Sequence, residues 1–399
     1  MKERIILHID VNNAFLSWTA VDMLKKGSKI DIRNRYAIIG GDEKERKGIV
    51  LAKSNPCKKK GVSTAEPIFQ ARKKCPYLEV YPPNYKVYKE FSDKMYDYLL
   101  TYTNIIERYS IDECFLDYTD LVLLFGNPIT CAYKIKEDIK KKFGFTVNVG
   151  IGNNKLCAKM ASDFKKPDMV HTLFNFEVKE KMWNLPVGDL FMIGKSSNKK
   201  LTELGIKTIY DLANCDVNYL YKYFKNRAIQ MIESANGIDN DNVEYEESNP
   251  KSISSQESLA YNYKIKEEIY PVIYKLCKDV SVKLNEKKMY TENVGIWIKY
   301  TNFTKVSKQM KLDNPTCLLE DIYKYSIKLF NNIWNEDAIR AICVSISNFN
   351  NKSSVQLNLF NTNTKVNYNN HDERIDKVID KLNSKYSGII NYANKIEKR

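Results

Sequence analysis

The stretch from residue 105 to residue 117 reads IIERYSIDECFLD and decides the fold of this chain. Residues 105–109 and 113–117 each have the side-chain pattern of a strand that is at least half buried. At their junction Asp112 and Glu113 stand side by side, although adjacent carboxylates repel each other and rarely occupy the tip of an apolar strand pair. The pattern predicts a β-hairpin that carries an acidic pair at the edge of a sheet.

A third carboxylate ends another predicted strand, residues 4–10, which closes on Asp10. Carboxylates are the hard oxygen ligands that Mg²⁺ prefers, and three of them leave coordination positions open to water or phosphate. Asp10, Asp112 and Glu113 are therefore candidate ligands for one or two Mg²⁺ ions.

The charge balance points to a polyanionic partner. The chain has 399 residues, and its 63 Lys and Arg exceed its 49 Asp and Glu to give a net charge of +14. The basic residues form short clusters along the chain, such as residues 58–60 and 140–142, and no basic tail. A solvated surface is the plain interpretation, but scattered clusters around an acidic centre favour a groove that follows a phosphate backbone.

Cysteine usage and hydropathy exclude several classes of protein. Nine cysteines occur without Cys-x-x-Cys spacing and only three histidines are present, which makes a zinc site improbable and predicts reduced thiols. No apolar stretch reaches about 18 residues, the length expected of a membrane span, and the N-terminus runs straight into a strand. We expect a soluble, cytoplasmic protein with no membrane partner.

The first half of the chain alternates strands and helices. Helical periodicity is clear in residues 87–101 and 129–143. With the strands, this order predicts a split βαβ sheet with helices on one face, interrupted by an insertion at residues 15–82 that holds its own hairpin. The predicted strands are residues 4–10, 36–40, 49–53, 105–109, 113–117 and 145–151.

The second half changes character twice. Residues 175–240 predict short helices joined by glycine turns, which fit a DNA-gripping helix-hairpin-helix and a plain helical bundle about equally well. The polar stretch 239–250 is typical of a linker. Residues 251–350 predict a smaller α/β unit, with strands at 294–298 and 341–346 and helices at 269–284 and 318–334. The tail beyond Asn350 is rich in Asn, Ser and Thr, and we expect it to be flexible, with a helix at 372–386.

Four segments together resemble the catalytic signatures of Y-family translesion DNA polymerases, and among them the DNA polymerase IV-like branch. They are HIDVNNAF at residues 8–15, YSIDE at 109–113, VGIGNNK at 149–155 and KP at 166–167. The resemblance covers about residues 1–350 and implies an α+β multidomain fold, a right-hand polymerase with a ferredoxin-like palm, small fingers, a helix-hairpin-helix thumb and an α/β little finger. The implied bounds are palm 1–14 and 83–174, fingers 15–82, thumb 175–240, linker 241–250, little finger 251–350 and tail 351–399.

The resemblance implies the roles of the palm residues. Asp10 and Asp112 would bridge two Mg²⁺ ions, the Val11 carbonyl would help hold the nucleotide-side ion, and Glu113 would complete the ion that activates the primer 3′-hydroxyl. The reaction would be template-directed transfer of a dNTP to primer DNA with release of pyrophosphate.

The nucleotide contacts follow in the same way. Lys166 would meet the triphosphate, the backbone amides near Asn13 and Ala14 would donate to it, and Phe15 would be the steric gate that excludes a ribose 2′-hydroxyl. In the fingers, many relatives carry a Tyr and an Arg where this chain has Asn55 and Lys58, and Lys cannot make the bidentate contact of Arg.

Two further features concern DNA and protein partners. The thumb turn at residues 192–194 reads MIG and lacks the first glycine common in relatives. In the tail, QLNLF at residues 356–360 resembles the peptide with which bacterial polymerases dock on the sliding clamp. In that peptide a Gln amide hydrogen-bonds while apolar side chains fill a pocket. The clamp-binding residues would be Gln356, Leu357, Leu359 and Phe360.

Three alternatives stay open at this point. Gly40-Gly41-Asp42-Glu43 resembles a diguanylate cyclase signature, but Lys44 follows where Phe is usual, and that interpretation leaves Asp112 and Glu113 unexplained. A non-catalytic DNA-binding protein would not need all three acids. A mutagenesis polymerase of another Y-family branch would need accessory subunits, whereas the favoured interpretation is a monomer with low fidelity, short synthesis runs and a role in DNA repair.

Overall fold

The computed structural model describes residues 3–246 and 249–350, which divide into two compact units on either side of the Ser248–Asn249 boundary. None of the helices within these described ranges combines the length and apolar character that a membrane span requires. All nine cysteines fall within the described ranges and are free, as predicted. The clamp-like peptide at 356–360 and the predicted helix at 372–386 lie outside them.

The elements of the first unit begin with those that run to residue 99. They are β1 (Ile6–Val11), α1 (Ala14–Lys25), β2 (Ala37–Gly40), β3 (Val50–Lys53), α2 (Asn55–Lys59), α3 (Ile68–Lys74), β4 (Glu79–Tyr81) and α4 (Tyr85–Leu99). The next group is β5 (Ile106–Arg108), β6 (Glu113–Asp117), α5 (Val122–Phe125), α6 (Pro128–Phe143), β7 (Val147–Gly152), α7 (Lys155–Asp163) and β8 (Val170–Leu173). The unit ends with α8 (Val178–Lys181), α9 (Lys195–Glu203), α10 (Ile209–Ala213), α11 (Val217–Phe224) and α12 (Arg227–Ala235).

A five-stranded sheet with the order β5-β6-β1-β7-β8 forms the centre of this unit. The pairs β5–β6, β6–β1 and β1–β7 are antiparallel, and β7–β8 is parallel. Helices α1, α4 and α6 cover one face, where Leu7 and Ile9 of β1 pack against Trp18, Phe91 and Ile135. The pattern of strands and helices in residues 87–152 is as predicted.

Helix α7 corrects the expectation that the helices lie on one face of the sheet. It packs on the face opposite α4 and α6, where Ala158 meets Ile6 and Phe115. Its close approach depends on Gly150 and Gly152, because a Cβ at Gly150 would lie 2.0 Å from the Ala158 carbonyl oxygen. Strands β4 and β8 were not predicted, since they are only three and four residues long.

The insertion forms a small sheet with the order β3-β2-β4 and contains the predicted hairpin β2–β3. Helices α2 and α3 pack on it around Ile38, Val50 and Ile68. Helix α1 packs against both sheets. Leu16 and Ala20 contact buried residues of the insertion, and the opposite side of the helix packs into the core of the five-stranded sheet. The insertion therefore has a hydrophobic core of its own.

Residues 175–240 are helical, as predicted. Their core is shared with α7 and includes Met160, Leu201, Ile209 and Met231. In the turn before α9, Met192 adopts φ 71°, a left-handed backbone conformation that glycine takes more easily. Met192 thus holds a conformation that is easier for glycine, in a turn whose first residue is not glycine.

The stretch expected to be a linker has no helix or strand from residue 239 to residue 246, but it is anchored to the larger sheet. Val243 is buried beside Ile6 and Phe115. The Glu244 amide donates to the Glu107 carboxylate at 2.8 Å, and the Arg4 guanidinium donates to the Asp241 carbonyl at 2.9 Å.

The second unit is a four-stranded antiparallel sheet with the order β11-β10-β12-β9 and two helices on one face. The predicted strands at 294–298 and 341–346 and the predicted helix at 269–284 are confirmed within longer elements, and the helix predicted at 318–334 is one residue shorter at each end. Strands β9 and β11 were missed because their sequences are largely polar. The elements are β9 (Ser252–Tyr263), α13 (Lys266–Glu286), β10 (Tyr290–Tyr300), β11 (Lys305–Thr316), α14 (Leu319–Ile333) and β12 (Ile339–Asn350).

Candidate active site

Strand pairing brings the three predicted acids to one edge of the large sheet. Asp10 lies directly opposite Glu113 in the β1–β6 register, and the Val11 amide donates to the Asp112 carbonyl oxygen at 3.0 Å. Asp10 is only 5% exposed, whereas Asp112 and Glu113 are half-buried. Backbone pairing alone therefore places the backbones of the three acids next to one another.

The turn between β5 and β6 is the predicted hairpin, and its polar groups are internally bonded. The amides of Tyr109 and Ser110 donate to the Glu113 carbonyl at 3.1 and 3.2 Å. The Ser110 hydroxyl donates to Asp112 Oδ1 at 2.7 Å, and the Asp112 amide donates back to the Ser110 Oγ at 3.3 Å. Ser110 thus orients the carboxylate that follows it.

Two lysines supply the positive charge that an acidic strand pair requires. Lys159 of α7 donates to Glu113 Oε1 at 2.7 Å, and Lys166 contacts Asp10. Asp163 lies between the lysines and accepts from Lys166 at 2.8 Å. Lys166 was predicted as a site residue, but Lys159 was not.

A buried histidine lies behind Glu113. His8 Nδ1 is 2.8 Å from the Ser162 Oγ, which itself donates to the Lys159 carbonyl, so His8 Nδ1 must be the protonated nitrogen in this bond. His8 Nε2 then faces Glu113 Oε2 at 3.7 Å and makes no hydrogen bond to any described residue. Burial lowers the pKa of His8 and keeps it neutral, although Glu113 opposes this shift.

The acids differ in how well their charge is balanced. Burial raises the pKa of Asp112, and the neighbouring charges of Asp10 and Glu113 raise it further, beyond the opposing effect of Ser110. Burial also disfavours ionised Glu113, but the hydrogen bond and the charge of Lys159 oppose this effect, and the pKa of that carboxyl is lowered. Asp112 is therefore the carboxylate that most needs a further positive charge.

The donor set fits a divalent cation by its chemistry. Carboxylates from three adjacent backbone positions and the nearby Val11 carbonyl are hard oxygen ligands, and the like-charge repulsion on Asp112 would be relieved by a cation. Within residues 3–246 and 249–350, no three His, Cys, Asp or Glu side chains already converge as a ready metal cluster. Lys159 and Lys166 hold Glu113 and Asp10 instead.

The predicted nucleotide residues begin directly after β1. Asn13 has a left-handed backbone with φ 48°, and Ala14 is the first residue of α1. The Phe15 ring stacks on Tyr88 with a centroid distance of 4.5 Å and an interplanar angle of 6°, and Tyr85 meets its edge at 6.0 Å. Phe15 thus presents a ring that is fixed from behind by two tyrosines.

The fingers residues approach this loop from the insertion. The Asn13 side chain donates to the Asn55 Oδ1 at 3.5 Å, which places the first turn of α2 beside the β1–α1 loop. Lys58 lies on the same helix and is exposed. Burial and the proximity of Lys58 both lower the pKa of Lys53 on β3, so these two ammonium groups are near each other.

Sequence reasoning missed Lys159, His8 and Ser162. A signal for Lys159 was present, since it is a single lysine inside the largely apolar run LCAKMAS at residues 156–162. A lysine on the buried side of a helix requires a carboxylate partner, and the partner was already known from the strand ends. For His8 and Ser162 the sequence has no comparable signal, because strand alternation does not show which α7 residue faces β1.

Comparisons with known proteins place these residues in a family context. The profile of the impB/mucB/samB family matches residues 9–163, and that of its C-terminal domain matches residues 250–359. The DNA polymerase IV of Clostridium acetobutylicum is 44% identical over 383 residues, which are 96% of this chain and 96% of that protein. DNA polymerase IV 1 of Bacillus subtilis is 34% identical over 388 residues, 96% of this chain and 91% of that protein.

A solved structure has the same fold. A Y-family DNA polymerase chimera of Dbh and Dpo4 superposes with a TM-score of 0.74 over 88% of this chain and 100% of that chain. Its sequence is 24% identical, so the likeness concerns the fold alone.

Proposed function

The chain belongs to the impB/mucB/samB family, in the DNA polymerase IV branch of the Y family, and we propose that Asp10, Asp112 and Glu113 carry out its chemistry. It is a DNA-directed DNA polymerase of the translesion class, with an α+β right-hand fold and primer-template DNA as substrate. The observation that supports the site assignment is the β1–β6 register, which sets Asp10 opposite Glu113 with Asp112 beside Val11. The cyclase alternative is not favoured.

Membership of this family implies a requirement for a divalent metal ion. We propose two Mg²⁺ ions, held by Asp10, the Val11 carbonyl, Asp112 and Glu113. When bound, they would supply a lowered pKa for the primer 3′-hydroxyl and positive charge for the leaving pyrophosphate. The chain's own part is to hold the carboxylates at one edge in a defined orientation, for which Ser110 and Lys159 provide hydrogen bonds.

Lys166 is proposed to bind the triphosphate. Burial lowers its pKa, but Asp10 and Asp163 outweigh this and raise it, so the side chain stays an ammonium at neutral pH. A polyphosphate is a strong competing acceptor for such a donor. We propose that Lys166 exchanges Asp10 for phosphate oxygens when a dNTP enters, and that the amides near Asn13 and Ala14 donate to the same group.

Phe15 is proposed to select deoxyribose. The ring cannot recede from a 2′-hydroxyl, because Tyr88 stacks flat behind it and Tyr85 closes its edge. On the opposite side, Asn55 and Lys58 are proposed to contact the triphosphate from the fingers, where Lys58 contributes charge without the fork of an arginine.

The proposed domain bounds are those expected from the sequence, with the palm at 1–14 and 83–174 and the thumb at 175–240. We propose that the enzyme is a cytoplasmic monomer that reaches the sliding clamp through Gln356, Leu357, Leu359 and Phe360. Clamp retention in a pull-down should disappear when Leu359 and Phe360 are both changed to Ala. Retention at the wild-type level would assign the contact to another part of the chain.

Primer extension by the purified protein tests the assignment of the acids. With Mg²⁺ and four dNTPs, the wild type should extend a primer distributively on an undamaged template and continue past an abasic site. The double variant Asp112→Asn, Glu113→Gln should lose at least about 10³-fold in rate, because it removes both carboxylates of the hairpin.

Asp93→Asn is the matched control, because Asp93 is a palm carboxylate paired with Lys89 and Arg108 outside the proposed site. Its extension rate should equal that of the wild type. Full extension by the double variant would refute the assignment, and extension only after addition of other proteins would favour the branch that needs accessory subunits.

A further inference from the structure

A buried lysine lies among the acids of the palm, and its hydrogen bond to Glu113 does not account for its position between three carboxylates. Lys159 is 8% exposed, and its ammonium lies 2.7 Å from Glu113 Oε1, 3.5 Å from Asp163 Oδ2 and 4.0 Å from Asp10 Oδ2. Burying an ammonium is costly unless carboxylates compensate it. Here three carboxylates surround it, and two of them are proposed metal ligands.

The position of Lys159 is set by the sheet behind it. Helix α7 lies against β7 because Gly150 and Gly152 have no side chains, and a Cβ at Gly152 would lie 2.6 Å from the Cys157 Cβ. The Ser162 hydroxyl donates to the Lys159 carbonyl at 2.7 Å and accepts from His8 of β1. The lysine backbone is thus anchored to β1, the strand that carries Asp10, and its ammonium has little freedom to leave the cluster.

Asp163 offers the lysines a second partner. It lies 3.5 Å from Lys159 and 2.8 Å from Lys166, and its side chain is about half exposed, so it can adjust to either lysine. Asp10 and Glu113 pair with the two lysines on the side of the proposed metal site, and Asp163 pairs with them on the other side. A short side-chain movement between these acceptors changes how much positive charge faces Asp10 and Glu113.

We propose that Lys159 is a positioning residue that acts as a built-in counter-cation. It holds Glu113 in place and competes with a divalent ion for Glu113 and Asp10, while Asp163 is the acceptor to which it shifts when the ion binds. This inference rests on the proposed function of the three acids. It follows that the free enzyme binds divalent ions weakly, because an ammonium must first be displaced.

Mn²⁺ binding to the DNA-free, full-length protein tests the proposal, with free Mn²⁺ measured by its electron paramagnetic resonance signal. Lys159→Met removes the competing charge and should tighten Mn²⁺ binding about five- to tenfold, the effect of roughly 1 kcal/mol. Asp163→Asn removes the alternative acceptor and should weaken binding severalfold. Lys159→Arg keeps the charge and should bind Mn²⁺ as the wild type does.

The chain provides a matched control on the same helix. Lys155 is 12% exposed and donates to both carboxylate oxygens of Glu107 at 2.9 and 2.7 Å, so Lys155→Met also breaks a largely buried lysine–glutamate pair. Both methionine variants should unfold at lower temperature in EDTA, but only Lys159→Met should change Mn²⁺ affinity. In primer extension, Lys159→Met should lower kcat and Lys159→Arg should restore it.

Unchanged or weaker Mn²⁺ binding by Lys159→Met would overturn the proposal and leave the lysine a purely structural role. If that variant does not fold, Asp163→Asn decides, and wild-type affinity there overturns it equally. Failure of the proposed function looks different, because a wild type that binds Mn²⁺ and DNA would then not extend a primer.

Discussion

The palm edge and the fingers both carry lysines around the proposed nucleotide site, but they balance the charge of those lysines in opposite ways. In the palm, Asp10 and Glu113 outweigh the effect of burial and raise the pKa of Lys159. In the fingers, burial and Lys58 lower the pKa of Lys53, and the effect of Glu66 does not compensate for them. The palm lysines are therefore paired with carboxylates that outnumber them, whereas the fingers keep an excess of positive charge.

This difference indicates separate tasks. Buried lysines that are paired with carboxylates keep their geometry before substrate arrives, which suits groups that must be oriented for a reaction. An uncompensated and partly exposed pair of ammonium groups gains most from an incoming anion, which suits binding. We therefore expect palm substitutions to change catalysis or substrate choice, and fingers substitutions to change dNTP affinity.

The largest effect in this comparison is expected at Phe15, at the junction of the two regions, where its ring stacks on Tyr88 of the palm. Phe15→Ala should reduce the preference for dNTP over rNTP by about 100-fold, because the 2′-hydroxyl would gain the space of the ring. Single-nucleotide insertion with each nucleotide measures this, as a ratio of kcat/KM values. Phe15→Tyr keeps a ring on Tyr88 and should preserve the preference. Equal discrimination by wild type and Phe15→Ala would remove Phe15 from the sugar site.

A smaller effect is expected in the fingers. Asn55→Tyr combined with Lys58→Arg should lower the KM for dNTP about fivefold with little change in kcat, since a guanidinium can grip phosphate oxygens bidentately. Lys73→Arg, a change of the same type on α3, should leave KM unchanged. A change in kcat with constant KM would contradict the division of tasks between the two regions.

The sequence was sufficient to predict that Asp10, Asp112 and Glu113 lie close together, because each stands at the end of a predicted strand and strand ends in one sheet can meet. It was insufficient for Lys159, whose role depends on which face of the sheet α7 covers. Helix α7 can pack on this face because Gly150 and Gly152 have no side chains, and the local sequence pattern does not predict this packing. The outer strands β9 and β11 of the second unit were also not predicted from the sequence. Only one face of that sheet is covered by helices, so much of their length is polar.

The smallest expected effect is on stability, and it tests whether the charge of Asp112 is left uncompensated in the palm cluster. Because the pKa of Asp112 is raised in the folded protein, its ionisation opposes folding as pH rises above its ordinary value of 3.8. Asp112→Asn should therefore raise the free energy of unfolding in EDTA by about 1 kcal/mol at pH 7, and the gain should vanish as pH falls toward 4. Thermal unfolding of both proteins across this range measures the difference. Asp93→Asn should do the opposite, since Lys89 and Arg108 lower the pKa of Asp93 and stabilise its ionised form. A destabilised Asp112→Asn variant at pH 7 would show that the lysines already compensate Asp112, and the palm would then have no charge left for a metal ion to relieve.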